Sequence, residues 1–163
     1  MNERIKPPVG DVPYDKHWSL NVEGKIVLDI GADIGSTADF FLRRGAKEVI
    51  AIEGHRDSYA ELEKNAKIIF GIKPVYKLIC CYGGFEELFK EYKPDIAKID
   101  CEGMELHLIN VNDDILRSIK EYMIEVHSTL ILGALFIKFI AAGYAIKLHL
   151  LSPIVFYAIK IGE

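Results

Sequence analysis

Apolar residues recur along this chain in short runs separated by longer amphipathic stretches. Strand-like runs fall at 25–30, 47–52, 75–80, 95–99, 121–126, 144–150 and 154–160. Most are bounded by Gly, Pro or charged residues, as buried strands are. Helical spacing fills most of the gaps. The first helix is predicted to start at Ser36, with Asp39 in a capping-box-like pairing, and to stop at Gly45 after Arg43-Arg44. The second carries Tyr59, Leu62, Ala66 and Ile69 on one face, and Gly71 and Pro74 close it. Further helical patterns cover 85–91, 104–109 and 130–142. Residues 1–23 are polar and punctuated by proline; they read as an arm preceding one domain over 24–163.

Strand–helix alternation predicts an α/β fold with helices on both faces of a parallel sheet. The end of the chain departs from this rule. Runs 144–150 and 154–160 are separated only by Leu151-Ser152-Pro153, too short for a parallel crossover. The last strand must therefore pair antiparallel with its predecessor. A mostly parallel sheet closed by a C-terminal antiparallel hairpin points to the seven-stranded class I methyltransferase (Rossmann-like) sheet. It points away from a plain dinucleotide-binding domain. The apolar run Leu130 to Ala142 is interrupted by Lys138 and falls short of the roughly 20 residues that span a bilayer. It is expected to be a helix packed on the sheet, with Lys138 reaching solvent along its stem, and no membrane association is expected.

Composition narrows the picture. With 163 residues, half of them apolar, the chain can bury a proper core. The net charge of −4 gives no footprint for general nucleic-acid binding, though a local basic patch is compatible with it. Cys80, Cys81 and Cys101 show no C-x-x-C spacing, which argues against a disulfide framework or a zinc site and for a reducing, cytoplasmic setting. The N-terminal residues lack the apolar core of a signal peptide.

Candidate chemistry concentrates where strands end. Strand 25–30 runs into Gly31-Ala32-Asp33-Ile34-Gly35 and then a helix start, with Asp29 just before the turn. Such a turn lets backbone approach a ligand, and the helix N-terminus behind it favours an anion. Glu53 ends the next strand, where a carboxylate can accept both hydroxyls of a ribose. Asp29, Gly31, Ala32, Gly35 and Glu53 are thus the candidate cofactor-binding residues. Tyr82, after the third strand, either stacks on an adenine or is a surface aromatic. Lys98-Ile99-Asp100-Cys101-Glu102-Gly103-Met104-Glu105 gathers three carboxylates around a glycine. They suit a general base, a cation ligand, or a partner for a positively charged substrate or sulfonium. Glu125 and His127 alternate onto one side at the end of the fifth strand, and His127 is a candidate proton acceptor. Asp100, Glu102 and His127 are the candidate catalytic residues. No residue is assigned to a metal.

Val27 to Gly35, Lys98 to Glu105, Ile124-Glu125-Val126-His127 and Gly143-Tyr144, in this order, resemble the FkbM-type methyltransferases. The resemblance covers roughly residues 22–150, and the K-I-D-x-E-G-x-E element is its most specific part. It implies S-adenosylmethionine as cofactor and methyl transfer to oxygen of a sugar or other small hydroxylated acceptor. It further implies that Gly31, Gly35 and Glu53 hold the cofactor, with Asp100 beside the methyl-transfer centre. The stretch from Ile79 to Ile96 is shorter than the family's, which leaves the acceptor open and an oligomer possible. Two rival readings stand: a non-catalytic cofactor-binding domain or subunit, and an NAD-type oxidoreductase using the same turn and acid.

Overall fold

Seven strands form a single mixed sheet in the order β3-β2-β1-β4-β5-β7-β6. The computed structural model describes residues 17–79, 81–149 and 153–162. Most of the proposed arm, Cys80, and the Leu151-Ser152 part of the hairpin connection lie outside these residues. The chain divides into two compact units, Met1–Leu78 and Ile79–Glu163.

In the first unit, β1 (Ile26–Ile30), β2 (Glu48–Glu53) and β3 (Ile72–Tyr76) pair in parallel. Val27, Leu28, Val49, Ile50, Ala51 and Ile52 are fully or almost fully buried, as continuous apolar strands covered on both faces must be. Helix α1 (Ser36–Arg43) follows β1, and α2 (Arg56–Ala66) follows β2. Trp18 is buried, edge-on to His17 at 4.4 Å.

Two local expectations are corrected here. Gly35, at φ 94°, takes the cap position of α1, so Ser36 lies inside the helix and no capping box forms. Asp39 pairs instead with Arg43 one turn on, at 3.0 Å. The third strand occupies 72–76 rather than 75–80, with Pro74 inside it. Pro74 reads as a breaker, but β3 is an edge strand, where a missing N–H leaves no partner unsatisfied.

The second unit holds α3 (Tyr82–Tyr92), β4 (Ile96–Ile99), a 3₁₀ helix (Met104–Asn110) and α4 (Asp113–Arg117). β5 (Glu121–Val126), α5 (Thr129–Ala141), β6 (Tyr144–His149) and β7 (Ile154–Lys160) follow. β4 and β5 are parallel, with Ile99 beside Ile124. β6 and β7 are antiparallel, as expected, and β7 also pairs antiparallel with β5. The last strand is thus inserted between β5 and β6.

Helix α5 starts on a Ser128 cap, whose Oγ accepts the Ile131 N–H at 3.2 Å. It buries Ile131, Leu135 and Phe139 on a single stripe. Lys138 does not reach solvent as expected: its ammonium donates to the Val111 carbonyl at 2.8 Å and pairs with Asp113. Among the described residues no helix is long and apolar enough to cross a membrane. Phe139 packs with Tyr122, Tyr144 and Phe156, ring centroids 4.9–5.4 Å away. The Tyr122 and Tyr144 hydroxyls lie 2.8 and 2.7 Å from the Leu116 carbonyl, which ties this aromatic cluster to the end of α4.

Candidate functional site

At the carboxyl end of β1 the chain turns through Gly31 and Ala32, whose N–H groups both reach the Ile52 carbonyl at 3.0 Å. Asp33 then adopts a left-handed φ of 48°. Its N–H donates to Glu53 Oε2 at 2.8 Å, while Glu53 Oε1 accepts the His55 N–H at 2.6 Å. Glu53 therefore clamps the glycine turn to the loop after β2. Each carboxylate oxygen has a second lone pair, so hydroxyls can still be accepted there.

Asp29 is fully buried and accepts the Thr37 hydroxyl at 2.6 Å. Its carboxylate fixes α1 behind the turn, and it is not itself a surface a ligand can touch. Ala32 is buried as well. Because α1 begins on a glycine with no side-chain cap, its first N–H groups depend on another acceptor. The Ser36 hydroxyl, buried beside them, has no hydrogen-bond partner. An uncapped helix start with a buried, unanswered hydroxyl fits an anionic or polar ligand group. Tyr82 lies in the first turn of α3 rather than in a loop, and its side chain is about half exposed.

The second unit assembles the other candidate residues. Asp100 follows β4, and Glu125 and His127 flank the end of β5. The parallel register beside Ile99 and Ile124 brings Asp100 and Glu125 together. Cys101 to Met104 forms a tight turn closed by an N–H···O bond of 3.1 Å, with Glu102 at φ 54° and Gly103 at φ 94°. Two successive left-handed residues favour glycine, and holding a glutamate in one of them costs about 1–2 kcal/mol. The turn swings Glu102 to 3.7 Å from His127 Nε2 although its side chain is 90% exposed.

Glu105 is the buried organiser of this cluster. It is 0% exposed; one oxygen accepts the Gly103 N–H at 2.8 Å, and the other the His127 N–H at 3.0 Å. The same second oxygen lies 2.9 Å from His127 Nδ1. A carboxylate only accepts, so the Nδ1 of His127 carries the proton and Nε2 faces outward. Burial works to lower the His127 pKa, but the Glu105 hydrogen bond and the charges of Glu105, Asp100 and Glu102 outweigh it, and the net shift is upward. Asp100 Oδ1, Glu102 Oε2 and Glu125 Oε1 stand 3.7, 3.7 and 3.8 Å from Nε2. Lys98, 1% exposed, lies 3.8 Å from the other oxygen of Asp100.

The sequence named Asp100, Glu102 and His127 as catalytic candidates; it counted Glu105 only among the three carboxylates around the glycine, noted Glu125 only as sharing a side with His127, and gave Lys98 no role. Lys98 carried a signal, since a lysine inside an otherwise apolar strand needs an acidic partner. The burial of Glu105 had none, because its place depends on the turn before it.

Cys101 shares this environment. Burial, then the charges of Glu105 and Asp100, push its thiol well above the usual range. It is therefore expected to resist iodoacetamide at neutral pH while the exposed Cys81 is labelled. Mass-mapped alkylation of the folded protein checks this, and equal labelling of both would contradict it.

No family model matches the chain. It is similar to "Uncharacterized protein 65" of Sulfolobus islandicus filamentous virus, 36% identical over 113 residues, 68% of this chain and 65% of that protein. It is also similar to "Hemolysin A" of Brachyspira hyodysenteriae, 31% identical over 88 residues, 51% of this chain. The chain thus spans about two-thirds of the first relative's length and 33% of the second's. Among solved structures, the precorrin-6y C5,15-methyltransferase of Geobacter metallireducens superposes with TM-score 0.65 at 16% identity. The match covers 85% of this chain and 81% of that one. Methanococcus jannaschii fibrillarin, a pre-rRNA processing protein, matches with TM-score 0.66 at 17% identity, over 88% of this chain and 70% of its own. Aeropyrum pernix fibrillarin, with natively bound S-adenosyl-L-methionine, matches with TM-score 0.63 at 16% identity, over 86% of this chain and 69% of its own. The fold is therefore that of class I methyltransferases. It is shared with a pre-rRNA processing protein, so the fold does not exclude a nucleic-acid partner.

Proposed function

We propose that this chain is an S-adenosylmethionine-dependent methyltransferase of FkbM type that methylates oxygen on a small hydroxylated or sugar-type acceptor, in the cytoplasm. The observation that carries the reading is the start of α1. A glycine turn pinned by Glu53 leads into an uncapped helix with an unanswered buried hydroxyl, within a methyltransferase-type sheet. The inserted antiparallel β7 also favours this reading over an NAD-type oxidoreductase.

The cofactor, when bound, supplies an electrophilic methyl group on a sulfonium. The chain's own residues do the rest. The N–H groups at the start of α1 and the Ser36 hydroxyl would meet the cofactor's polar tail. Glu53 would accept the ribose hydroxyls, Asp29 holds the turn through Thr37, and Tyr82 would offer a ring to the adenine. In the second unit, Asp100 would orient the acceptor, and the carboxylate of Glu102 or the Nε2 of His127, its tautomer fixed by Glu105, would take the acceptor's proton. An oxygen nucleophile needs such a base, since a neutral hydroxyl attacks a methyl group slowly.

Calorimetric titration with S-adenosylhomocysteine and with NAD tests the reading. Binding of the first and not the second is expected; the reverse would overturn it. Glu53→Ala is expected to weaken S-adenosylhomocysteine binding roughly 10- to 100-fold, because charge-assisted hydrogen bonds contribute about 1.5–3 kcal/mol. An unchanged dissociation constant would remove Glu53 from the site.

A further inference from the structure

We infer that Asp100, Glu125 and His127 form a divalent-cation site that presents an acceptor's hydroxyl oxygens, a role in transfer that rests on the methyltransferase reading. One donor atom from each of the three lies within 4.8 Å of the others. The sequence offers the acids near Asp100 as cation ligands, but no spacing joins Asp100 to Glu125 and His127, because the donors come from the ends of two neighbouring parallel strands.

Three observations bear on it. The first is the donor set: two carboxylates and one imidazole suit a first-row transition dication such as Mn²⁺ or Fe²⁺. The second is the orientation of the ring. Nδ1 is committed to Glu105, a fully buried carboxylate that also holds the His127 backbone N–H. Metal-bound imidazoles are oriented by an outer carboxylate in the same way, which fixes the free lone pair on the other nitrogen. This separates the group from a solvated patch of acids.

The third observation is charge. Four carboxylates, those of Asp100, Glu102, Glu105 and Glu125, surround the His127 ring within 3.8 Å. Lys98 stands beside one oxygen of Asp100. The separations of 3.7–3.8 Å across Nε2 are too long for hydrogen bonds. They are close to the roughly 3–3.5 Å between neighbouring donors that share one cation at about 2.0–2.2 Å. Three protein donors leave positions open, so the site fits an acceptor with two adjacent hydroxyls, chelated as a vicinal diol; with Nε2 on the cation, the acceptor's proton passes to the Glu102 carboxylate, 3.7 Å from that nitrogen.

Mn²⁺ titration, followed by loss of the free-ion electron paramagnetic resonance signal, tests the site on the chelator-treated protein without cofactor. One equivalent is expected to bind. Glu125→Gln and His127→Gln are each expected to weaken it at least tenfold, with circular dichroism showing that both variants are folded. Asp114→Asn, at an acid whose side chain is 93% exposed, is expected to change nothing. Absence of stoichiometric binding, or equal weakening by all three variants, would overturn the site. S-adenosylhomocysteine binding by the same metal-free protein keeps the two readings separable. That binding without Mn²⁺ binding overturns the cation site alone. Mn²⁺ binding without it supports the site and overturns the methyltransferase reading.

Discussion

Phe139→Ala is expected to destabilise the protein by about 3–5 kcal/mol, the range for deleting a buried aromatic ring. Phe139 has no exposed surface, and its ring contacts those of Tyr122, Tyr144 and Phe156. The surrounding rings belong to β5, β6 and β7, whose backbones are fixed by mutual pairing. They cannot collapse into the space, so the cavity persists and its cost adds to the lost transfer energy. For a chain of this length the melting temperature should fall by roughly 10 °C. Urea denaturation measures the change directly. A loss under about 1 kcal/mol would mean that the second unit repacks freely and that the aromatic cluster does not anchor it.

Glu105→Ala is expected to cost about 3 kcal/mol and to release the His127 ring. The substitution orphans the Gly103 and His127 N–H groups and the Nδ1 proton together, and each unpaired buried donor costs about 1–3 kcal/mol before water enters. Glu105→Gln should recover little of this. A glutamine offers one accepting oxygen and one donating nitrogen, whereas donors meet both oxygens of Glu105. Nitrogen-15 spectra of the imidazole separate a positioning role from a merely structural one. In the parent protein the neutral ring should carry its proton on Nδ1, and in both variants the proton should move towards Nε2. A parent ring protonated on Nε2, or stability within about 0.5 kcal/mol in both variants, would remove Glu105 from this role.

Much of the fold was legible because periodicity survives tertiary context. Five of the seven strands lie within the runs that apolar spacing marks, β2 passes the end of its run only by Glu53, and the antiparallel end follows from the length of a connection. What failed did so for local reasons. Pro74 looks like punctuation when its strand's place at the edge is unknown. Ser36 and Asp39 match a cap pattern, but the left-handed Gly35 moved the cap back by one residue. A hairpin also shows which strands pair with each other, not which of them joins the older sheet, so the contact of β7 with β5 was out of reach. The candidate site followed the same division. Asp100, Glu102 and His127 were visible as unusual residues at strand ends. Glu105 was visible only as one acid among several, since nothing local distinguishes an acid that turns inward from one that faces water.

The proline in β3 has a consequence for the life of the protein in a crowded cell. An open sheet leaves a row of backbone groups along each outer strand, ready to template the same strand of another copy. At one border Pro74 deletes a donor from that row. At the other, β6 carries an exposed Lys147, whose charge would repel an identical neighbour laid alongside it in register. Replacing Pro74 with valine would complete the ladder, and the expected penalty is fibrous aggregation on storage rather than any loss of fold.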